Sequence, residues 1–286
     1  MRKTTLLKRY IHDPAIIVIP GVPDPLCARI AEQAGFQAVF VSGYAATAAM
    51  LGAPDMGLLT LTEMVDWAWR IVDAVDLPVF ADGDTGHGNI SNLIRTMKQY
   101  EKAGVAAMFF EDQVSPKRCG HMAGKQVVAP GEMVAKIRAA VDARVDPDLM
   151  IMARTDALAV NGIDDAIERM HRYIEAGADM AFVEAPESVE QMRRITREIR
   201  APNMANMVPG GRTPLLTAKE LEEIGFACVA HPTALTYTLA KAARGLLERL
   251  RDTGTTAGAE AGMLSFAEFN ELVGLGAMRA REARYQ

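Results

Sequence analysis

Cysteine is scarce in this chain. Its 286 residues contain Cys27, Cys119 and Cys228 only, far apart, odd in number and without a CxxC pair. That excludes a disulfide framework and a zinc knuckle. Long apolar runs are also missing: no stretch approaches the roughly 20 residues that span a bilayer. The basic N-terminus "MRKTTLLKRYIHDPA" lacks the apolar run and small-residue cleavage site of a signal peptide. There is no basic cluster with interleaved aromatics, and the formal charge is −5. Neither nucleic acid nor a membrane is therefore expected as partner, and a reducing cytoplasm is the default setting. The Gly-rich turn of a dinucleotide fold is absent too, since "IPGVPDP" is not GxGxxG.

What is present is a core. Half the residues are hydrophobic and 23% are charged, ordinary for a globular protein. Short, nearly continuous apolar runs occur at 15–20, 37–43, 78–84, 106–112, 149–156, 180–185, 203–207 and 227–232. Strands read this way when both faces are buried. Amphipathic segments lie between them, at about 24–34, 61–76, 90–103, 130–145, 164–176, 187–198, 217–224 and 234–251. "AEQAGFQAVFV", "YEKAGVAAMFF" and "YIEAGADMAFV" repeat one device, a helix stopped by glycine and followed at once by a strand. The pattern predicts an α/β fold, a (β/α)8 TIM-type barrel over 1–251, ahead of a doubly wound sheet. The breaker-rich "DTGTTAGAEAG" then opens a C-terminal helical extension over 252–286, with "SFAEFNELV" and "AMRAREARY" as short helices. Both tryptophans, in "DWAW", are read as helix packing, His171 as a helix-surface residue, and Cys27 and Cys228 as core.

Barrel chemistry sits at the C-terminal strand ends, and the polar residues fall there. Ser42, Gly43 and Tyr44 follow the second strand, Asp82 and Asp84 the third, Glu111 and Asp112 the fourth, and Arg154, Thr155 and Asp156 the fifth. Glu184 ends the sixth, Asn206 the seventh, and His231 and Pro232 the eighth. Crowded carboxylates call for a cation, and an oxygen-only donor set points to Mg²⁺, with Mn²⁺ as the alternative. A helix entry at "DGDTGHGN" capped by Asn89 is the plainer explanation. Arg154, so close to an apolar strand, needs an anion: Glu184, a substrate carboxylate, or both. The Ser42–Gly43 turn offers backbone N–H groups to a carboxylate. Residues 113–129 make a connection longer than usual, as lids often do. It contains "PKRCGHMAGK", which surrounds Cys119 with Lys117, Arg118 and His121; neighbouring cations are expected to lower the thiol pKa and fit it for proton transfer.

Together these segments resemble the isocitrate lyase/phosphoenolpyruvate mutase superfamily. "DGDTGHGN", "FEDQ", "PKRCGH", "ARTDA", "VEAP" and "NMVPGGRTPLL" match it in order. "KRCGH" is the motif of its carbon–carbon lyases, and the similarity is strongest to the 2,3-dimethylmalate lyase, petal-death-protein and 2-methylisocitrate lyase branch. The resemblance implies Mg²⁺ near Asp82 and Asp84, supported by Glu111, and a small 2-hydroxy carboxylic acid as substrate. It implies Ser42, Gly43, Tyr44, Asp55, Gly120, Arg154, Glu184, Asn206 and Pro232 as substrate contacts. Catalytic roles fall to Cys119, Lys117, His121, Tyr44 and Glu111, with Cys119 protonating the departing enolised carboxylate. It leaves Tyr44, His121, Glu111 or a metal-bound hydroxide to take the hydroxyl proton. It also implies a homotetramer, a dimer of dimers that swap C-terminal helices. Two departures matter. Tyr237 stands where the methylisocitrate enzymes carry an arginine for a third carboxylate, which favours a dicarboxylate, and His87 stands where an aromatic is common. The alternatives are methylisocitrate cleavage, phosphonate chemistry, oxaloacetate hydrolysis, or a silent barrel that only binds.

Overall fold

A computed structural model describes all 286 residues. Eight strands appear in the expected order: β1 Ile17–Pro20, β2 Val39–Val41, β3 Val79–Asp82, β4 Ala107–Glu111, β5 Met150–Thr155, β6 Met180–Val183, β7 Met204–Asn206 and β8 Cys228–His231. Every pairing is parallel, in the runs β2-β3-β4-β5-β6 and β1-β8-β7. Single parallel bridges cross both seams, Gly21 to Phe40 and Ala181 to Asn203, and complete the ring.

The surrounding helices are α1 Lys3–Ile11, α2 Pro25–Gln33, α3 Gly43–Leu51, α4 Leu61–Ala74, α5 Ile90–Ala103, α6 Pro130–Ala143 and α7 Leu158–Asn161. Then come α8 Ile163–Glu175, α9 Val189–Glu198, α10 Ala218–Ile224, α11 Ala234–Thr253, α12 Phe266–Leu272 and α13 Leu275–Glu282. The repeated glycines do what their position demands: Gly35, Gly104 and Gly177 all take positive φ just past a helix. Thr60, Asn89 and Thr217 close reciprocal capping boxes at the starts of α4, α5 and α10.

The barrel interior is filled by alternate strand residues, among them Phe40, Phe80, Phe109, Met152, Phe182 and Met204. Leu7 and Ile11 of α1 close its lower end. The opposite strand faces pack under the helices around Met97, Tyr100, Ile137 and Tyr173. Helices α1, α3 and α7 were not foreseen. The buried side chains of α1 are Leu7 and Ile11 alone, too few for a stripe, and α3 is Ala-rich without a distinct apolar face. Trp67 packs and donates its indole N–H to Pro23 O (3.0 Å), but Trp69 is 47% exposed, so only one tryptophan serves as helix packing.

Candidate active site

The strand ends converge on one mouth. β3 delivers Asp82, whose Oδ2 accepts from Gly43 N (2.9 Å) and whose Oδ1 accepts from Asp84 N (2.9 Å). The Gly43 N–H, expected to greet a substrate carboxylate, is therefore spent on Asp82. A Cβ at Gly43 would lie 2.9 Å from that carboxylate and 3.3 Å from Lys117 Nζ, so the close approach needs glycine. Asp84 takes a left-handed φ of 48° to turn into the site. Burial and the neighbouring Asp84 push the Asp82 carboxyl above the usual range.

β4 and β5 place Glu111 beside Arg154. Arg154 Nη1 lies 3.3 Å from Glu111 Oε2 and 3.6 Å from Glu184 Oε2, while Nε and Nη2 donate to Asp156 at 2.9 and 3.2 Å. Its guanidinium also stands over the rings of Phe109 and Phe182, at 5.7 and 5.2 Å. Burial opposes ionisation of Asp156, but Arg154 and Lys125 outweigh it and hold that carboxyl down to about 2. Burial drives Glu111 the other way, well above the carboxylate range. Glu111 Oε1 is buried with no hydrogen-bond partner. Asp112 does not join the mouth: it faces the helical layer, accepting from Thr155 Oγ1 (2.7 Å), Asp156 N (3.0 Å) and Tyr173 OH (2.9 Å). His87 stays behind the wall, 4.0 Å from Asp84, and burial lowers its pKa against the pull of Asp84 and Asp82.

The connection from β4 to α6 folds over this mouth. Its legs pair at the base, Val114 N to Gln126 O and Val128 N to Asp112 O (both 2.8 Å). Gln113 buckles the tip, donating to Arg118 O (2.9 Å) and accepting from Arg118 N (3.0 Å). Three basic side chains then plug into acids of the barrel. Lys117 Nζ lies 2.8 Å from Asp55 and 2.7 Å from Asp84; burial works against its charge, and Asp84, Asp82 and Asp55 more than restore it. His121 Nε2 lies 3.1 Å from Glu184, and its Nδ1 accepts from Arg212 N (3.1 Å), which puts the ring proton on Nε2. Lys125 reaches Asp156 (2.8 Å).

The expected cation effect on Cys119 does not operate. Lys117 is committed to carboxylates and Arg118 turns outward to Ala123 O, so burial dominates and pushes the thiol up, against the His121 backbone N–H and the charge of Arg154. The group is a thiol near neutrality, suited to giving a proton and not to nucleophilic attack.

Between lid and floor lies a cavity of about 200 Å³, below the roughly 300–1,000 Å³ of drug-sized pockets. The expected site residues line it, except Gly43, Asp84 and Glu111, which stand behind its wall. Tyr44 OH meets Tyr237 OH at 3.4 Å, with the rings edge to face, and this contact and burial raise the Tyr44 pKa. Asn206 Nδ2 donates to Glu184 at 3.3 Å, and Pro232 backs the closely approaching Gly21. The sequence reading missed Thr233, a buried hydroxyl without a partner on the cavity wall, the apolar floor of Phe40, Phe109 and Phe182, and Lys125. Inward alternation along the strands could have flagged the floor; a lysine in a loop carries no such signal. Asp82, Asp84 and Glu111 do not gather into a three-ligand cluster of this protein's own side chains. Glu111 has turned to Arg154 and Asp84 to Lys117.

The family described as Phosphoenolpyruvate phosphomutase matches residues 7–251. The chain belongs to the phosphoenolpyruvate mutase/isocitrate lyase superfamily. It is 49% identical to a 2,3-dimethylmalate lyase of Eubacterium barkeri, over all of this chain and 99% of the relative. It is 40% identical to a 2-methylisocitrate lyase of Aeropyrum pernix, over 99% of this chain and 91% of the relative. Its fold superposes on a crystal structure of 2,3-dimethylmalate lyase with a TM-score of 0.94 at 36% identity, covering 100% and 96% of the two chains. A phosphonopyruvate hydrolase solved with oxalate and Mg²⁺ gives 0.90 at 30% identity, covering 100% and 99%. The chain is an enzyme of the carbon–carbon lyase type found among these relatives. No helix is long and apolar enough to cross a membrane.

Proposed function

We propose that this enzyme is a Mg²⁺-dependent lyase. It cleaves a 2-hydroxy dicarboxylate of the 2,3-dimethylmalate or 2-alkylmalate type into pyruvate and a smaller carboxylate, with Cys119 as general acid. The observation that carries this reading is a protonated, half-buried thiol on a lid, facing a small cavity with Arg154 on its wall. A thiol that keeps its proton, beside an apolar floor and a cation, can quench a carbanion-like carboxylate.

The donor set fits a divalent cation. Asp82 and Glu111 are carboxyls that burial pushes toward protonation, and Glu111 keeps a buried oxygen without a partner. Asp82 and Asp84 would hold Mg²⁺ or Mn²⁺, with Glu111 in support and substrate oxygens completing the set. When bound, the metal supplies Lewis-acid stabilisation of the substrate's 2-hydroxy carboxylate oxygens. The protein does the rest. Arg154 offsets charge growing on the pyruvyl fragment, and Lys117 fixes the lid over Asp55 and Asp84. Tyr44, held protonated by Tyr237 and burial, donates a hydrogen bond and is no base. His121 carries its proton toward Glu184. Glu111 keeps an acceptor oxygen without a partner, but burial favours its protonated form and it stands behind the cavity wall.

The charges in the cavity favour a dicarboxylate. Lys117, His121 and Arg154 already face carboxylates, and Tyr237 brings no charge. Beyond these, Arg118 is the one further cation lining the cavity, and its guanidinium is turned to Ala123 O. Phosphonate chemistry and oxaloacetate hydrolysis are disfavoured by the lid thiol. Helices α12 and α13 contain no buried residue and expose Phe266, Phe269 and Met278. This supports residues 252–286 as a separate extension that packs on a second copy, in a homotetramer.

Pyruvate release, followed with lactate dehydrogenase in the presence of Mg²⁺, tests the reading. 2,3-Dimethylmalate should be preferred over 2-methylisocitrate, and chelation should stop the reaction. Preference for methylisocitrate would overturn the dicarboxylate assignment. No 2-oxo acid from either, or from any 2-alkylmalate, would overturn the lyase assignment, with oxaloacetate and phosphonopyruvate next to assay.

A further inference from the structure

Lys125 lies at the far end of the lid, five residues beyond Gly120, and looks in sequence like a solvated loop lysine. Its side chain is only 2% exposed. Nζ donates to Asp156 Oδ1 (2.8 Å) and to the carbonyl oxygen of Gly120, the residue after the catalytic thiol. An ammonium is not buried at that depth without anionic and carbonyl partners. Its anionic partner is not free either: the same Asp156 carboxylate accepts two bonds from Arg154 on the cavity wall.

Gly120 itself is pressed onto this assembly. A Cβ there would sit 2.4 Å from Glu184 Cγ and 2.5 Å from Arg154 Nη2. The backbone that carries Cys119 thus rests directly on the substrate-facing cation, and Lys125 ties its carbonyl to that cation's own carboxylate. One acid, Asp156, is gripped from the floor by Arg154 and from the lid by Lys125.

We propose that Lys125 is a positioning residue, the latch that sets the closed lid and holds Cys119 at a fixed height over Arg154. The inference rests on the lyase reading for its purpose, but the latch is a statement about lid position and is tested without turnover. Removing the ammonium leaves Gly120 O and Asp156 without their lid-borne donor, so the tip bearing Cys119 lifts more often.

The test is the rate at which iodoacetamide alkylates each cysteine, resolved by peptide mass spectrometry, in the native enzyme, Lys125→Met and Lys125→Arg. Lys125→Met should speed Cys119 alkylation about tenfold or more, the scale of one lost charge-assisted hydrogen bond. The buried Cys27 and Cys228 should stay protected, and Lys125→Arg, which keeps the charge, should restore most of the protection. Unchanged Cys119 reactivity in Lys125→Met would overturn the latch. So would a parallel rise at all three cysteines, which would make Lys125 a general stabiliser. If Lys125→Met does not fold, Lys125→Gln carries the same criteria. Because alkylation needs no substrate, a chain that shows this pattern yet cleaves no malate would sink the lyase reading and leave the latch standing.

Discussion

The two ends of the barrel both use ion pairs, and they use them differently. At the lower end, Arg2, just before α1, and Lys8 of α1 meet Asp146 and Asp148 at 2.9–3.2 Å, and Thr4 and Thr5 add hydrogen bonds to the same acids. These groups are partly exposed, and the cations sit on and just before α1. At the mouth, Asp55, Asp82, Asp84, Glu111, Asp156 and Glu184 are all buried, and among the strand ends only Arg154 answers them with a positive charge. The balance comes from Lys117 and Lys125, which both ride on the connection between β4 and α6. One end is neutralised by a helix; the other is neutralised by the long connection folded over it. The cover over this site therefore compensates charge as much as it provides shape.

The comparison is broken most severely at the mouth. Cys119→Ser should lower kcat by about 10²–10⁴-fold, since a serine hydroxyl is a far weaker acid, while the melting temperature stays near native. Loss of stability in step with activity would contradict the assignment. Arg154→Lys comes next: it cannot bridge Asp156, Glu111 and Glu184 from one planar group, and kcat/KM should fall about 10²–10³-fold. A small change in kcat/KM would mean that Arg154 is structural only.

The third effect is thermodynamic. The carboxyl of Asp156 is held at about 2 in the fold, against about 3.9 in an unfolded chain. A depressed folded value contributes stability that is complete above the unfolded pKa and is lost as pH falls from about 4 towards 2. The contribution is on the order of 2 kcal/mol. Urea unfolding of native protein and Asp156→Asn across pH 2–6 should show a gap that narrows on acidification; a constant gap would remove Asp156 from the account. The smallest effect belongs to the lower end. Arg2→Ala breaks an exposed pair and should shift stability by no more than about 0.5 kcal/mol, with kcat untouched. A drop in kcat there would show that the two ends are coupled.

Much of this architecture was legible in the residues. Continuous apolar runs gave all eight strands, because burial on both faces leaves no polar alternation. The three helix–glycine–strand repeats gave the α/β unit, because a left-handed stop selects glycine. Acids and Arg154 at strand ends marked the mouth. Helices α1 and α3 escaped, since α1 takes its reason from the barrel floor it plugs and α3 from a small-residue fit.

Sequence alone determined the repeat, the family and the identity of the groups at the mouth, because period, glycine placement and motif order are local properties. Tertiary structure decided which of those groups meet. It sent Asp112 to the helical layer, spent the Gly43 N–H on Asp82, kept Cys119 a thiol despite its cationic neighbours, and buried Lys125 against Asp156. The reason is physical: proton affinity and pairing depend on burial and on partners tens of residues away, and neither is written in the spacing along the chain.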